Sequence, residues 1–309
     1  MRSLPHLTST ITLSLGLAFT LAPAAHLAAG TPTVVEIAQA DWDQPTMSLV
    51  QALDEASAEA RQARRAPLNI TNEGPTKSSF VIGAANTAGR FGSYFTTDLF
   101  IVNPHPTGSA RVNIFVLRHN TDNVATAPPA RSVAVPAKGF YVAKDIMGQL
   151  GVSGGAVIMV SLDSAQSSGT STSVHSFGYT STPGPSGGRY GVNIHGVGVY
   201  FSDDLFDGWT VGANVNDQSR TNLGVFNYST TSTLTVKADA FTSPTGAKVG
   251  TLGFTVPRAS FVQVSLSDFV PAIQDGLVKF YDGSTEYVGY MVVNDNITND
   301  ANFQLAASW

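Results

Sequence analysis

Phe95-Thr-Thr-Asp-Leu-Phe-Ile-Val-Asn-Pro104 returns as Ser219-Arg-Thr-Asn-Leu-Gly-Val-Phe-Asn-Tyr228, a constant displacement of 124 residues. Each copy places a short polar residue, Asp98 or Asn222, before an apolar run and ends that run on an asparagine, Asn103 or Asn227. Two further marks follow in the same order. Val135-Pro-Ala-Lys-Gly-Phe-Tyr-Val is matched by Val256-Pro-Arg-Ala-Ser-Phe-Val-Gln-Val, leading to Asp145 and Asp268 respectively, and Phe177-Gly-Tyr179 is matched by Val288-Gly-Tyr290. Three marks in one order indicate an internal duplication. The unit is far longer than a solenoid or propeller repeat and suits a domain of about 100 residues with its own core.

The segments around these marks read as strands. Leu234, Val236 and Ala238 alternate with Thr235 and Lys237; Leu252, Phe254, Val256 and Val262, Val264, Leu266 form further stripes. Period-two alternation puts one face of a strand on a core and the other toward solvent. Val112-Asn-Ile-Phe-Val-Leu117 and Ala156-Val-Ile-Met-Val160 are short apolar runs bounded by Gly, Pro, Ser, Thr and Asn. A parallel α/β sheet would need long helical crossovers between strands, and none is present in the pattern. The expected fold is all-β: two tandem antiparallel β-sandwich domains, immunoglobulin-like or jelly-roll-like, over residues 80–183 and 184–309. The boundary is placed in Ser181-Thr-Pro-Gly-Pro-Ser-Gly-Gly188.

Ahead of the sandwiches the texture differs. Arg2, the apolar run Ile11–Leu21 and the small-x-small site Ala22-Pro23-Ala24 have the order of a secretory signal peptide, residues 1–24, with cleavage after Ala24 or else Ala29. The run is too short for a membrane-crossing helix, which needs about 20 apolar residues. Residues 25–79 read as a helical preface and linker. Met47, Leu49, Val50 and Leu53 lie on one side of a helix that Thr46 caps and Pro67 follows, expected to dock loosely on the folded body. The expected location is secreted, periplasmic or extracellular, with no membrane insertion.

Composition narrows the chemistry. There is no cysteine, so thiolate metal sites, disulfides and cysteine nucleophiles are excluded. The net charge of −5 gives no overall basic field for nucleic acid. Charged residues make up 13%, against about a quarter in ordinary domains, so Ser, Thr, Asn and backbone must supply much of the polar surface.

Gly151-Val-Ser-Gly-Gly155 and Gly184-Pro-Ser-Gly-Gly188 match the G-x-S-x-G word of a hydrolase elbow, which requires a strand, a tight turn and then a helix. Ser153 instead precedes a strand-like run. With His175 or His195 it is the catalytic candidate the sequence offers. Asp203, Asp204 and Asp207, and Asp295 and Asp300 in Asn294-Asp-Asn-Ile-Thr-Asn-Asp300, offer carboxylates in short loops, the type of oxygen donor calcium takes, though without EF-hand spacing. No other cofactor is expected. Asp98, Asn103, Asn222, Asn227, Asp145 and Asp268 are assigned to the fold: short polar side chains that bind backbone at strand ends and cap turns. Phe91-Gly-Ser-Tyr-Phe95 interleaves aromatics with glycine, a pattern suited to core and turn or to a sugar-stacking surface.

Arg220-Thr-Asn-Leu-Gly-Val-Phe-Asn227, with Phe261-Val-Gln-Val-Ser-Leu266 and Asp295-Asn-Ile-Thr-Asn-Asp300, resembles a group of secreted bacterial tandem β-sandwich proteins bearing an R-T-N-L-G-x-x-N motif. The likeness covers roughly residues 80 to 307. The first copy departs from the motif at Thr96, Asp98 and Phe100. The resemblance implies β-sandwich modules outside the cytoplasm and brings no catalytic residues. The expected function is non-catalytic: a secreted or cell-surface structural, adhesion or binding protein, its partner a protein, a polysaccharide or a second copy of itself. Scarce charge leaves sheet edges less protected against such assembly. A calcium-assisted carbohydrate-binding module and a secreted hydrolase are the alternatives.

Overall fold

The computed structural model describes residues 34–36, 42–63, 77–165, 167, 173–184, 187–198, 208–281 and 286–307. The first half carries β1 (Val34–Glu36), β2 (Ser78–Ala88), β3 (Tyr94–Val102), β4 (Ala110–Arg118), β5 (Ala130–Val135), β6 (Phe140–Ala143), β7 (Gly154–Leu162), β8 (His175–Pro183) and β9 (Arg189–His195). The second carries β10 (Gly208–Val215), β11 (Ser219–Asn227), β12 (Leu234–Phe241), β13 (Lys248–Val256), β14 (Ser260–Ser265), β15 (Ile273–Tyr281), β16 (Tyr287–Asp295) and β17 (Ala301–Leu305). The α-helices among the described residues are α1 (Leu49–Ala63), α2 (Asn123–Thr126) and α3 (Ile146–Gln149).

The protein is all-β, with several antiparallel sheets. In the first half β2-β7-β4-β5 form one sheet surface and β6-β3-β8-β9 another, with β1 added parallel to β6. Strand β2 belongs to both. It pairs with β7 over Ser78–Asn86 and then with β3 through Thr87 and Ala88. The pairing slips between Ile82 and Ala84, where Gly83 has φ +97, a backbone state that favours glycine and bends a strand. In the second half the sheets are β14-β11-β16-β17 and β10-β15-β12-β13.

Three cores separate these layers. Leu99, Ile101, Val112, Ile114, Ile158 and Val160 fill the first half, and Leu223, Val225, Val236, Phe254, Phe280 and Met291 fill the second. The third lies between the halves, where Phe80, Ile82, Phe115, Leu117, Val157 and Met159 face Phe226, Tyr228, Phe261 and Tyr290. The rings of Phe80 and Phe226 meet at 5.1 Å across this joint. This layering explains the two kinds of strand in the sequence. Ala156–Val160 is apolar throughout because Ala156, Ile158 and Val160 feed one core while Val157 and Met159 feed another. Strand β12 alternates because Thr235 and Lys237 face solvent.

Strand β9 pairs with β8 from Pro183↔Arg189 to Phe177↔His195, so the boundary placed at 183/184 falls inside a hairpin and the first half runs at least to His195. The preface is not loosely docked either. Leu49, Ala52, Leu53 and Ala56, at helical spacing i, i+3, i+4 and i+7, are buried in the middle core with Met47, while Val50 points outward. Ser48, not Thr46, caps α1, its Oγ accepting the Gln51 N–H at 3.2 Å. Thr46 is instead held by the buried Asn113, whose Oδ1 accepts the Thr46 N–H at 2.7 Å.

The duplication reaches the hydrogen bonds. Asn103 Nδ2 donates to the carbonyls of Gly108, Val135 and Pro136, and Asn227 Nδ2 to those of Ser232, Val256 and Pro257. Thr97 Oγ1 both accepts from and donates to the backbone of Ala85, as Thr221 does with Asn214. Ala85 and Asn214 each lie two residues past a positive-φ glycine, Gly83 and Gly212. The third mark is out of step. Asp98 pairs with Tyr179 but Asn222 with Val292, so Phe177–Tyr179 corresponds to Tyr290–Val292 rather than Val288–Tyr290.

Candidate functional site

Motif R-T-N-L-G lies along β11, and alternation divides its labour. Thr221, Leu223 and Val225 point into the second half, while Arg220, Asn222 and Gly224 point toward the first. Gly224 is required there, because a Cβ at this position would strike the ring of Tyr290, its direct partner on β16. The buried Tyr290 ring stacks on Phe303 at 5.6 Å, and its hydroxyl donates to Gln263 Oε1 at 3.1 Å. Burial raises the Tyr290 phenol far above its ordinary value, so it stays a donor.

Beside this stack a cleft of about 480 Å³ opens between the halves. One wall is Ala85, Thr87, Arg90, Phe95 and Ile194 of the first half; the other is Arg220, Asn222, Gln263, Val292 and Phe303 of the second. The volume lies within the range of about 300–1,000 Å³ usual for small-molecule sites. Arg90 stands on the short 3-10 turn Arg90–Gly92, is exposed, and has no side-chain hydrogen bond or ion pair among the described residues. Phe95 lies over Gly89, whose missing side chain leaves room for the ring.

A hydrogen-bonded joint ties the two walls together. Asn123, fully buried at the start of α2, donates from Nδ2 to the carbonyls of Arg118, Thr121 and Ala259, and its Oδ1 accepts the Arg118 N–H. Arg258 grips Asp122 with two N–H bonds at 2.9 and 2.7 Å. His119 packs its ring edge-on against Phe261 at 5.1 Å, and its Nε2 accepts the Gln263 N–H at 3.2 Å.

Burial holds the His119 imidazole below its ordinary 6.5. A base with a lowered folded pKa is favoured neutral in the native state. Its contribution is therefore whole above about 6.5 and lost as pH falls from there through the folded value. The melting temperature should drop across that interval, and in His119→Gln this component of the pH profile should vanish. Parallel profiles for the two proteins would refute the assignment.

Residues expected to carry chemistry are dispersed. Ser153 is exposed in the turn before β7, and a strand rather than a helix follows it. Its hydroxyl has no hydrogen bond to either histidine. His175 and His195 do share a face, on either side of Phe177, with ring centroids 6.4 and 5.0 Å from it, but this is the outer face of the β3-β8-β9 surface and not the cleft. Asp203, Asp204 and Asp207 lie outside the described residues.

In the Asp295–Asp300 loop several oxygens already have donors. Asp295 Oδ1 accepts the N–H groups of Thr298 and Ile297, each at 2.7 Å, and these bonds hold its carboxyl below the usual range. Asn296 Oδ1 and Asn299 Oδ1 each accept from the Arg220 guanidinium at 2.9 Å, with the Asp295 carbonyl at 3.4 Å. The Asp300 side chain is exposed. Among the described residues no three or more His, Asp or Glu side chains gather as a metal site.

The fold-assigned residues act locally. Asp98 is buried, accepting from Lys144 Nζ, Arg189 Nη1 and the Asp145 N–H. Asp145 caps α3 through the Gly148 N–H at 3.0 Å, whereas Asp268 is exposed at the end of the 3-10 turn Leu266–Asp268 and caps nothing among the described residues. Of the residues singled out in the sequence, Asn222 reaches the cleft, together with Arg220 of the motif and Phe95 of the glycine-aromatic segment. Gln263 lay within the Phe261–Leu266 word of the resemblance without being singled out, and Arg90 and Phe303 carried no signal in the sequence. No model of a known protein family matches the chain, and no curated protein matches it. No helix among the described residues is long and apolar enough to cross a membrane.

Proposed function

We propose that this chain is a non-catalytic, exported binding protein of two tandem β-sandwich modules, immunoglobulin-like or jelly-roll-like, that holds its ligand in the cleft between them. The observation that carries this reading is a cleft with one wall from each half and a hydrogen-bonded joint beside it. A site assembled in advance loses less ordering entropy on binding than one formed by closure. Its lining is that of a recognition site: two arginines, an amide and hydroxyls beside the apolar faces of Phe95 and Phe303. Export is supported by the leader-like residues 1–24. The partner belongs to the cell surface or its surroundings, a polysaccharide being favoured by the combination of aromatic faces and neutral hydrogen-bonding groups.

Ala301 lines the cleft at the start of edge strand β17, so Ala301→Trp fills the site with little disturbance to the cores. Against a panel of acidic and neutral polysaccharides, the unaltered protein should show saturable retention that Ala301→Trp loses by at least about tenfold, with little change in melting temperature. Retention equal in both proteins would place binding elsewhere and overturn the reading. Retention on none of the panel would do the same for a saccharide partner.

A further inference from the structure

Positive charge is out of keeping with the rest of this protein. The chain as a whole carries −5, yet the described lining of the cleft contains Arg90 and Arg220 and neither aspartate nor glutamate. Arg90 has no side-chain partner among the described residues. Arg220 is bound, but by neutral oxygens: the amides of Asn296 and Asn299 and the carbonyl of Asp295. The carboxylate of Asp295 is turned onto the Thr298 and Ile297 amides and makes no ion pair with Arg220. Two guanidinium groups therefore face one cavity with no carboxylate between them. Burial and then the neighbouring Arg90 charge lower the proton affinity of Arg220, and the Asp295 carboxylate behind it acts in the opposite direction. Asn222 adds an amide without a side-chain partner among the described residues, and Thr87 a hydroxyl, both on the lining.

We infer that the cleft selects an acidic saccharide, seating a carboxylate or sulfate between Arg90 and Arg220 and the sugar body against Phe95 and Phe303. This rests on the cleft being the ligand site. Guanidinium groups suit such oxyanions because their N–H forks match the spacing of two oxygens. Arg220 is prepositioned by its acceptors, and Arg90 is the adjustable partner. Ligand charge relieves the repulsion between them, so binding and stability rise together. Neutral sugars gain only the apolar and hydroxyl contacts.

The test follows the side-chain Nε–Hε signals of Arg90 and Arg220 by NMR in the full chain, titrated separately with galacturonate, inorganic sulfate and galactose. Saturable shifts of both signals are expected with galacturonate or sulfate, and none with galactose. The two anions distinguish a carboxylate site from a sulfate site. Arg90→Gln, an exposed change outside every core, should weaken the anion by about tenfold or more and leave the melting temperature of the free protein unchanged or higher. Arginine signals that stay still with both anions would overturn the inference. If galactose nonetheless shifts Phe95 and Phe303, the cleft reading stands and only the charge preference fails. If an anion shifts the arginines equally in Ala301→Trp, binding does not use the cleft and both fail.

Discussion

Asn227→Ala is expected to lower the stability of the protein by about 3–5 kcal/mol, and Asn103→Ala by a similar amount. Each asparagine is completely buried. Asn227 donates to the carbonyls of Ser232, Val256 and Pro257 at 2.9, 3.0 and 2.9 Å, and its Oδ1 accepts the Ser229 N–H at 2.8 Å. Alanine removes both partners at once and strands backbone groups away from water, at about 1–3 kcal/mol for each group left unpaired. The isosteric Asn227→Asp separates hydrogen bonding from packing. It keeps the volume but turns an oxygen toward carbonyl oxygens, so it should be at least as damaging as alanine. Urea unfolding of the three variants beside the unaltered protein decides the matter. A loss below about 1 kcal/mol for Asn227→Asp would mean that shape, not the network, is what the position requires.

Gly224→Ala should cost about 2–4 kcal/mol, large for one added methyl group. The ring it meets has nowhere to go. Tyr290 is buried, registered directly opposite on β16, stacked on Phe303 and tied to Gln263. Overpacking between two backbones already fixed in a ladder forces the ring off its rotamer or the strands apart. Because Phe303 and Gln263 are cleft residues, ligand affinity should fall along with stability. A double-mutant cycle with Tyr290→Ala gives the check, since removing the ring should render Gly224→Ala nearly neutral. An undiminished cost in the Tyr290→Ala background would assign the glycine to backbone conformation instead.

Sheet structure was legible because strand periodicity is local and the chain states it twice. The asparagines that close β3 and β11 were legible for the same reason, as repeated words at one displacement. What failed was everything decided by a partner. Ser181–Gly188 has the proline and glycine of a linker, but a hairpin turn needs the same residues, and only the pairing of β8 with β9 distinguishes them. Alanines at 52 and 56 give little apolar signal of their own, yet they let α1 approach the middle core closely enough to be buried. The paired glycine-tyrosine words on β8 and β16 suggested one alignment, whereas the strand register placed them two residues apart. The cleft was the least legible feature. Its lining runs from Gly83 to Phe303, so no window of sequence contains it.

The turn closed by Arg220 has a consequence for how the protein tolerates its surroundings. Asp295-Asn-Ile-Thr-Asn-Asp300 has the composition of a loop that captures a metal from solution, but here the central positive charge is the end of a side chain. A covalently tethered ion does not exchange with the medium, is not removed by a chelator and needs no supply. Its loss can come only by mutation, so Arg220→Met is the genetic equivalent of stripping the metal from such a loop. For a protein proposed to work outside the cytoplasm, where dissolved ions fluctuate, this makes the geometry of one cleft wall a property inherited with the chain.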